Sequence, residues 1–117
     1  MAKTRVGIVG VAGYGGGQLA SILVNHPEVE LSYVSSESAS GTKLSEVFPG
    51  FLGRTDLVTE SFDMNTMLAE VDIVFLAQAG GWAAKNAKEI LAADKKMIDI
   101  SADLRIKDPD IYTKWYK

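Results

Sequence analysis

Val6-Gly7-Ile8-Val9-Gly10-Val11-Ala12-Gly13-Tyr14-Gly15-Gly16-Gly17-Gln18-Leu19-Ala20-Ser21-Ile22-Leu23 reads as a buried strand, a glycine-rich turn and the opening of a helix. The strand covers Arg5–Gly10. Leu19, Ile22 and Leu23, at i, i+3 and i+4, give a helix over Gly16–Asn25 its apolar stripe. A glycine-rich turn at such a junction lets a nucleotide diphosphate settle on bare backbone N–H groups at the positive end of the helix. Gly10 then allows the tight turn, Gly13 the approach of backbone to phosphate, and Gly16 the close packing of helix on strand. The spacing is G-x-x-G-x-x-G, a variant of G-x-G-x-x-G. The plain alternative is a flexible turn that needs only positive φ. Five glycines between positions 10 and 17 exceed that need.

Outward from this stretch, strand and helix patterns alternate. His26-Pro27 ends the first helix, because proline cannot continue the ladder, and His26 suits a helix's negative end. Val29, Leu31 and Tyr33 alternate with Glu30 and Ser32 in a second strand that ends near Val34. Ser35–Gly53 is an ordered loop with a helical turn near Ser45–Phe48, and Leu57-Val58-Thr59 is a short strand. Asp63 caps a helix running to Glu70. Val71–Ala77 is a central parallel strand buried on both faces. Ala83, Ala84, Ala87, Ile90 and Leu91 form the inner stripe of the next helix, and Lys96–Ile100 is another strand. Asp108-Pro109-Asp110 starts a last helix, with Tyr112, Trp115 and Tyr116 packing one face. The pattern predicts an α/β fold of Rossmann type, a doubly wound, mainly parallel sheet in three layers.

Composition narrows the function. At 117 residues the chain is one domain, and a net charge of −3 leaves no broad basic face for nucleic acid. No apolar run approaches the ~20 residues of a membrane span. Met1-Ala2-Lys3-Thr4-Arg5 leads straight into a strand rather than a signal peptide, so a cytoplasmic location is expected. The absence of cysteine removes disulfides, thiolate metal sites and a cysteine nucleophile together. No metal site and no catalytic residue are expected within residues 1–117. The abrupt ending at Trp115-Tyr116-Lys117 reads as a truncated dinucleotide-binding domain without its catalytic domain.

At the end of the second strand, an NAD site places Asp or Glu on the ribose 2′-hydroxyl. Ser35-Ser36 there favours a 2′-phosphate and hence NADP. Glu37 argues the other way, and Lys43 supplies a cation if its loop folds back. A solvated loop is the alternative. Ser101, Asp103 and Arg105 follow a strand's carboxyl end, where open α/β sheets bind ligands, and are candidates on the substrate side. A turn held by a surface ion pair is the bland reading. Gly80-Gly81-Trp82 either lets backbone approach the cofactor with Trp82 covering it, or is a simple turn.

Several segments together resemble N-acetyl-γ-glutamyl-phosphate reductase of arginine biosynthesis: Gly10–Gly16, His26-Pro27-Glu28-Val29, Ser45–Pro49, Asp72–Ala77, Ile98–Arg105, Asp108-Pro109 and Tyr112–Tyr116. The match spans nearly the whole chain but only the N-terminal, cofactor-binding part of such a reductase. The resemblance implies that Gly10, Gly13, Tyr14, Gly15 and Gly16 hold the diphosphate of NADPH. It sets Ser36 and Ser38 near the adenosine ribose, and Ala77 and Gln78 beside the nicotinamide half. It further implies reduction of an acyl phosphate to a semialdehyde through a cysteine thioester, in a homo-oligomeric enzyme whose cysteine and histidine lie downstream of this segment. Many members carry Arg where Glu37 stands and Pro-His where Ala79-Gly80 stand. A related semialdehyde dehydrogenase, an aminoadipyl reductase and a non-catalytic nucleotide-binding module are the rival readings.

Overall fold

The alternating pattern becomes β1 (Thr4–Val9), α1 (Tyr14–Val24), β2 (Val29–Ser35), α2 (Leu44–Val47), a 3-10 turn (Pro49–Phe51), α3 (Met64–Glu70), β3 (Ile73–Leu76), α4 (Trp82–Ala92), β4 (Lys96–Asp99) and α5 (Pro109–Tyr116). This is a computed structural model, which describes residues 3–101 and 103–116. Ala102, and the side chain of Tyr116 assigned above to the last helix's packing face, lie outside the described residues.

The four strands are parallel, in the order β2-β1-β3-β4. The chain leaves β1 for β2 on one side and returns past β1 to β3 on the other. That reversal opens a crevice at the carboxyl ends of β1 and β3. One face of the sheet buries Val6, Ile8 and Val34 against Val11, Ala20 and Leu23 at and within α1. The other buries Val9, Tyr33, Val74 and Leu76 beneath Met67 of α3 and Ala83 and Ile90 of α4. Full burial of each such aliphatic side chain contributes about 1.5–3 kcal/mol. The three-layer, doubly wound architecture is therefore present.

Local departures from the sequence reading have identifiable causes. In β2 the register slips between Val6 and Gly7, so that Val6 faces Leu31 but Gly7 faces Tyr33. The extra residue, Ser32, reverses the alternation: Leu31 packs with the α1-side core and Tyr33 with the opposite one. Tyr33 is fully buried, and its hydroxyl accepts the Asp63 N–H at 3.2 Å. Helix α1 starts at Tyr14 and turns inward through Gly16, Gly17, Ala20 and Leu23, leaving Ile22 54% exposed. Its small residues set that roll, since a Cβ on Gly17 would lie 2.7 Å from the Phe48 ring. Leu57-Val58-Thr59 forms no strand of its own. It is stitched to the preceding loop by Thr59 N–H to Thr42 O at 2.8 Å and Gly41 N–H to Thr59 O at 2.7 Å.

Strand β3 is shorter than Val71–Ala77, and its two faces differ. Val74 and Leu76 are fully buried beneath the α3–α4 layer, whereas Ile73 and Phe75 are half-buried on the α1 side. On that same side Ile98 of β4 and Ile100 are exposed, because among the described residues no helix covers β4 there. Leu91 and Ala84 of α4 also face outward, leaving Ala83, Ala87 and Ile90 as its buried stripe. The helix ends follow the expected chemistry. Asp63 accepts the Thr66 N–H at 2.8 Å, Asp108 accepts the Asp110 N–H at 2.9 Å, and His26 Nδ1 accepts the Glu28 N–H at 3.0 Å in the turn after α1. No described helix is long and apolar enough to cross a membrane.

Candidate dinucleotide site

The N–H groups of Gly10 and Val11 both donate to the Ser35 carbonyl at 2.9 Å, pinning the end of β1 to the end of β2. Gly10 has φ +92°, and a Cβ there would run into the carbonyl oxygen of Ala77 at the end of β3. A Cβ on Gly16 would meet the Gly10 carbonyl oxygen and lie 2.7 Å from Val11 Cα. Both positions are glycine for reasons internal to the protein. Gly13 is different. Its backbone is extended (φ −78°, ψ 172°), and the nearest atom to a Cβ there is Gly10 O at 3.9 Å. Gly13 is also the N-cap of α1 and offers no side-chain cap. The N–H groups of the first turn lack intrahelical acceptors and carry the helix's positive end.

Above these groups lies a hollow of about 400 Å³. Gly10, Ala12 and Gly13 line it from the β1 turn, Ser36, Glu37 and Ser38 from the end of β2, and Ala77 and Gln78 from the end of β3. The fold thus brings together Gly10, Gly13, Ser36, Ser38, Ala77 and Gln78, which lie far apart in sequence. Gly16 sits buried beneath the loop. Gly15 faces Ile100, with a Cβ there 2.9 Å from Ile100 Cδ1, and the Tyr14 side chain stands in solvent. Ala12 was not singled out from sequence, where it reads as a spacer between glycines.

At the β2 end, the Ser36 N–H donates to Glu60 O at 2.9 Å, and the Ser36 and Ser38 hydroxyls lie 3.1 Å apart. The Glu37 carboxylate accepts the Phe62 N–H at 3.0 Å and the Ser61 hydroxyl at 2.8 Å. These two hydrogen bonds, the backbone one first, hold its carboxyl below the usual carboxylate range. Lys43 is exposed at the N-cap of α2 and is absent from the lining of the hollow.

Ser101, Asp103 and Arg105 shape the loop after β4. The Ser101 N–H and hydroxyl both donate to Asp99 at 2.9 Å, and Arg105 reaches the carbonyls of Ile100 and Ser101 at 3.4 and 3.3 Å. Ser101 and Arg105 share a hollow of about 340 Å³ with Asp99. Asp103 faces elsewhere. Its carboxylate accepts the Gly81 N–H at 2.9 Å and the Ala84 N–H at 3.1 Å, and the Tyr112 hydroxyl lies at 3.3 Å. Gly81, the N-cap of α4, has no side chain with which to cap, so Asp103 does so from 22 residues away. None of the three lines the glycine-loop hollow. Trp82 packs edge-on against Phe62, with ring centroids 4.9 Å apart, as a core residue rather than a cover for the site.

The Gly81 hydrogen bond is the main cause that lowers the Asp103 carboxyl below its ordinary range. A group depressed on folding contributes stability above its unfolded pKa, near 3.9, and loses it as pH falls through the folded value. Asp103→Ala is therefore expected to destabilise the chain by about 1 kcal/mol at neutral pH. The difference from wild type should shrink as pH drops below about 4, as followed by thermal unfolding across pH.

Comparison with known proteins agrees with this architecture. The family model described as "Semialdehyde dehydrogenase, NAD binding domain" matches residues 5–115. An N-acetyl-γ-glutamyl-phosphate reductase of Herminiimonas arsenicoxydans is 46% identical over 97% of this chain and 32% of its own length. That of Synechocystis sp. is 41% identical over 98% of this chain and 33% of its own. The chain spans about a third of the length of these curated relatives. Among solved structures, aspartate semialdehyde dehydrogenase with NADP from Candida albicans superposes at TM-score 0.72 and 20% identity, covering 91% of this chain and 32% of that one. Its likeness speaks to the fold. With the family model matching nearly its full length, the chain belongs to the NAD-binding domain family of the semialdehyde dehydrogenases.

Proposed function

We propose that this chain is the NADP(H)-binding domain of an N-acetyl-γ-glutamyl-phosphate reductase. The observation that carries the cofactor reading is Gly13. It is a glycine that no contact within the protein requires, at the uncapped positive end of α1, over a hollow of matching position. The diphosphate is assigned to Gly10–Gly16, with the ring of Tyr14 outside. The adenosine ribose is assigned to Ser36 and Ser38, and the nicotinamide half to Ala77 and Gln78. The paired serine hydroxyls support NADP, since they can donate to a 2′-phosphate. Ser101, Asp103 and Arg105 are assigned to shaping the substrate side, through the loop after β4 and its brace on α4.

The bound cofactor supplies a hydride to an acyl group. This chain's own residues bind and orient. It has no cysteine with which to form a thioester, so the reacting thiol belongs to the rest of the reductase. The substrate is assigned as the acyl phosphate of an N-acylated acidic amino acid, on the strength of the relatives that span the whole chain at 41% and 46% identity. A second reading rests on a Picrophilus torridus relative named as a putative [LysW]-L-2-aminoadipate/[LysW]-L-glutamate phosphate reductase, 44% identical over 96% of this chain. A cytoplasmic location accords with either reading.

Calorimetric titration of the chain with NADPH and with NADH tests the proposal. Saturable binding of NADPH, tighter than that of NADH, is expected, with no reduction of an acyl phosphate by the chain alone. A folded chain that binds neither dinucleotide would overturn it.

A further inference from the structure

The turn that follows β3 joins two fixed points. At its start the Ala77 N–H donates to Val9 O at 2.8 Å, and a Cβ on Gly10 would lie 3.4 Å from Gln78 Cδ. At its end Trp82 opens α4 and packs edge-on against Phe62. Between them Ala79, Gly80 and Gly81 are exposed, and adjacent glycines carry the most backbone freedom to be lost. Gly81 is nevertheless held at φ +96°. Its N–H points at Asp103, with both carboxylate oxygens at 2.9 Å, and one of them also accepts the Ala84 N–H at 3.1 Å. The Tyr112 hydroxyl donates to the other from α5 at 3.3 Å. Charge-assisted bonds of this kind are roughly twice as strong as neutral ones, and the carboxylate faces the positive end of α4. An acidic cap ordinarily stands at the N-cap itself. Here it comes from the loop after β4, so it ties together two loops at the sheet edge where ligands bind.

Resting on the dinucleotide reading, we propose that Asp103 is a positioning residue for the nicotinamide half of the cofactor. Its grip on Gly81 fixes the turn of residues 78–81, and through that turn the Ala77-Gln78 rim of the hollow. Without the brace the exposed Gly80-Gly81 pair is free to move, and Gln78 moves with it. Ser36 and Ser38, at the end of β2, lie beyond β1 from this turn, so the adenosine half is outside its reach. A merely structural Asp103 would cap α4 and contribute stability alone, and any effect on binding would fall on both halves of the ligand alike.

Dissociation constants for NADPH and for 2′-phospho-ADP-ribose, which lacks only the nicotinamide, separate the two roles. They are measured on the wild-type chain, Asp103→Asn and Gly81→Ala. Asp103→Asn keeps the shape of the side chain but removes the charge that holds the Gly81 N–H. Gly81→Ala leaves the carboxylate in place. Its methyl group meets nothing within 4 Å, but a side chain disfavours φ +96°, so the turn shifts without a clash. Both variants are expected to weaken NADPH about fivefold, the worth of roughly one net hydrogen bond, with 2′-phospho-ADP-ribose unchanged. The nicotinamide fluorescence of bound NADPH is expected to fall in both. Equal weakening of the two ligands makes the brace structural and overturns the inference, as does an Asp103→Asn variant that fails to fold. Wild-type binding with a ratio of the two constants unmoved in folded variants overturns this inference alone. Binding of neither ligand by the wild-type chain overturns the dinucleotide reading and this inference with it.

Discussion

Gly13→Val is expected to weaken dinucleotide binding at least a hundredfold, about 2.7 kcal/mol, while leaving the chain folded. The backbone at Gly13 is extended, a conformation that a β-branched residue adopts readily. The nearest atom to an added Cβ is Gly10 O at 3.9 Å, so the folded protein has room for it. Replacing glycine by valine at an N-cap costs roughly 1 kcal/mol or less in helix stability. The space the isopropyl group enters is that above the first-turn N–H groups, where the diphosphate is assigned. Calorimetric titration and thermal unfolding of the same preparation check the two halves together. A variant that binds normally would remove the glycine loop from the site.

Gly16→Ala, three residues on, should behave in the opposite way. Its added methyl group meets the Gly10 carbonyl oxygen and the Val11 backbone, and neither is the mobile end of a side chain. Relief requires α1 to lift from β1, disturbing the core that Ala20 and Leu23 share with Val6 and Ile8. The expected destabilisation is about 3 kcal/mol, the upper range for overpacking. For a chain of this length that lowers the midpoint by roughly 10 °C. Denaturant titration reads it directly, and a midpoint unchanged from wild type would mean that α1 is not clamped to the loop as described. The two substitutions separate what one motif combines: Gly16 serves the fold and Gly13 the proposed ligand.

Much of this was legible in the sequence because the signals were local and redundant. The order of strands and helices followed from apolar runs punctuated by Gly10, Pro27, Asp63 and Asp108, each acting through its own backbone chemistry. Features that depend on distant chain were not legible. The bulge at Ser32 turns Leu31 and Tyr33 to opposite faces, although their spacing of two predicts one face. The roll of α1 onto Gly16 and Gly17 exposes Ile22, because close contact with Phe48 outweighs the apolar stripe. Asp103, singled out for its position after β4, proved to cap α4 through Gly81 and Ala84, a pairing that spacing alone does not signal. Likewise the sequence offered Glu37 as a counter-argument to NADP without the means to know that Ser61 and Phe62 fix it in place.

The central claim is that a dinucleotide lies across the carboxyl ends of β1, β2 and β3. It is tested most directly by following backbone amide shifts of the labelled chain during titration with NADPH. The account predicts the largest changes at the N–H groups of residues 10–17, then at Ser36–Ser38, Ala77 and Gln78, with small changes at Asp63–Glu70. Saturable changes confined to other surfaces, such as the hollow of about 770 Å³ lined by Gly81, Ala84, Asp103 and Tyr112, with residues 10–17 unmoved, would contradict it.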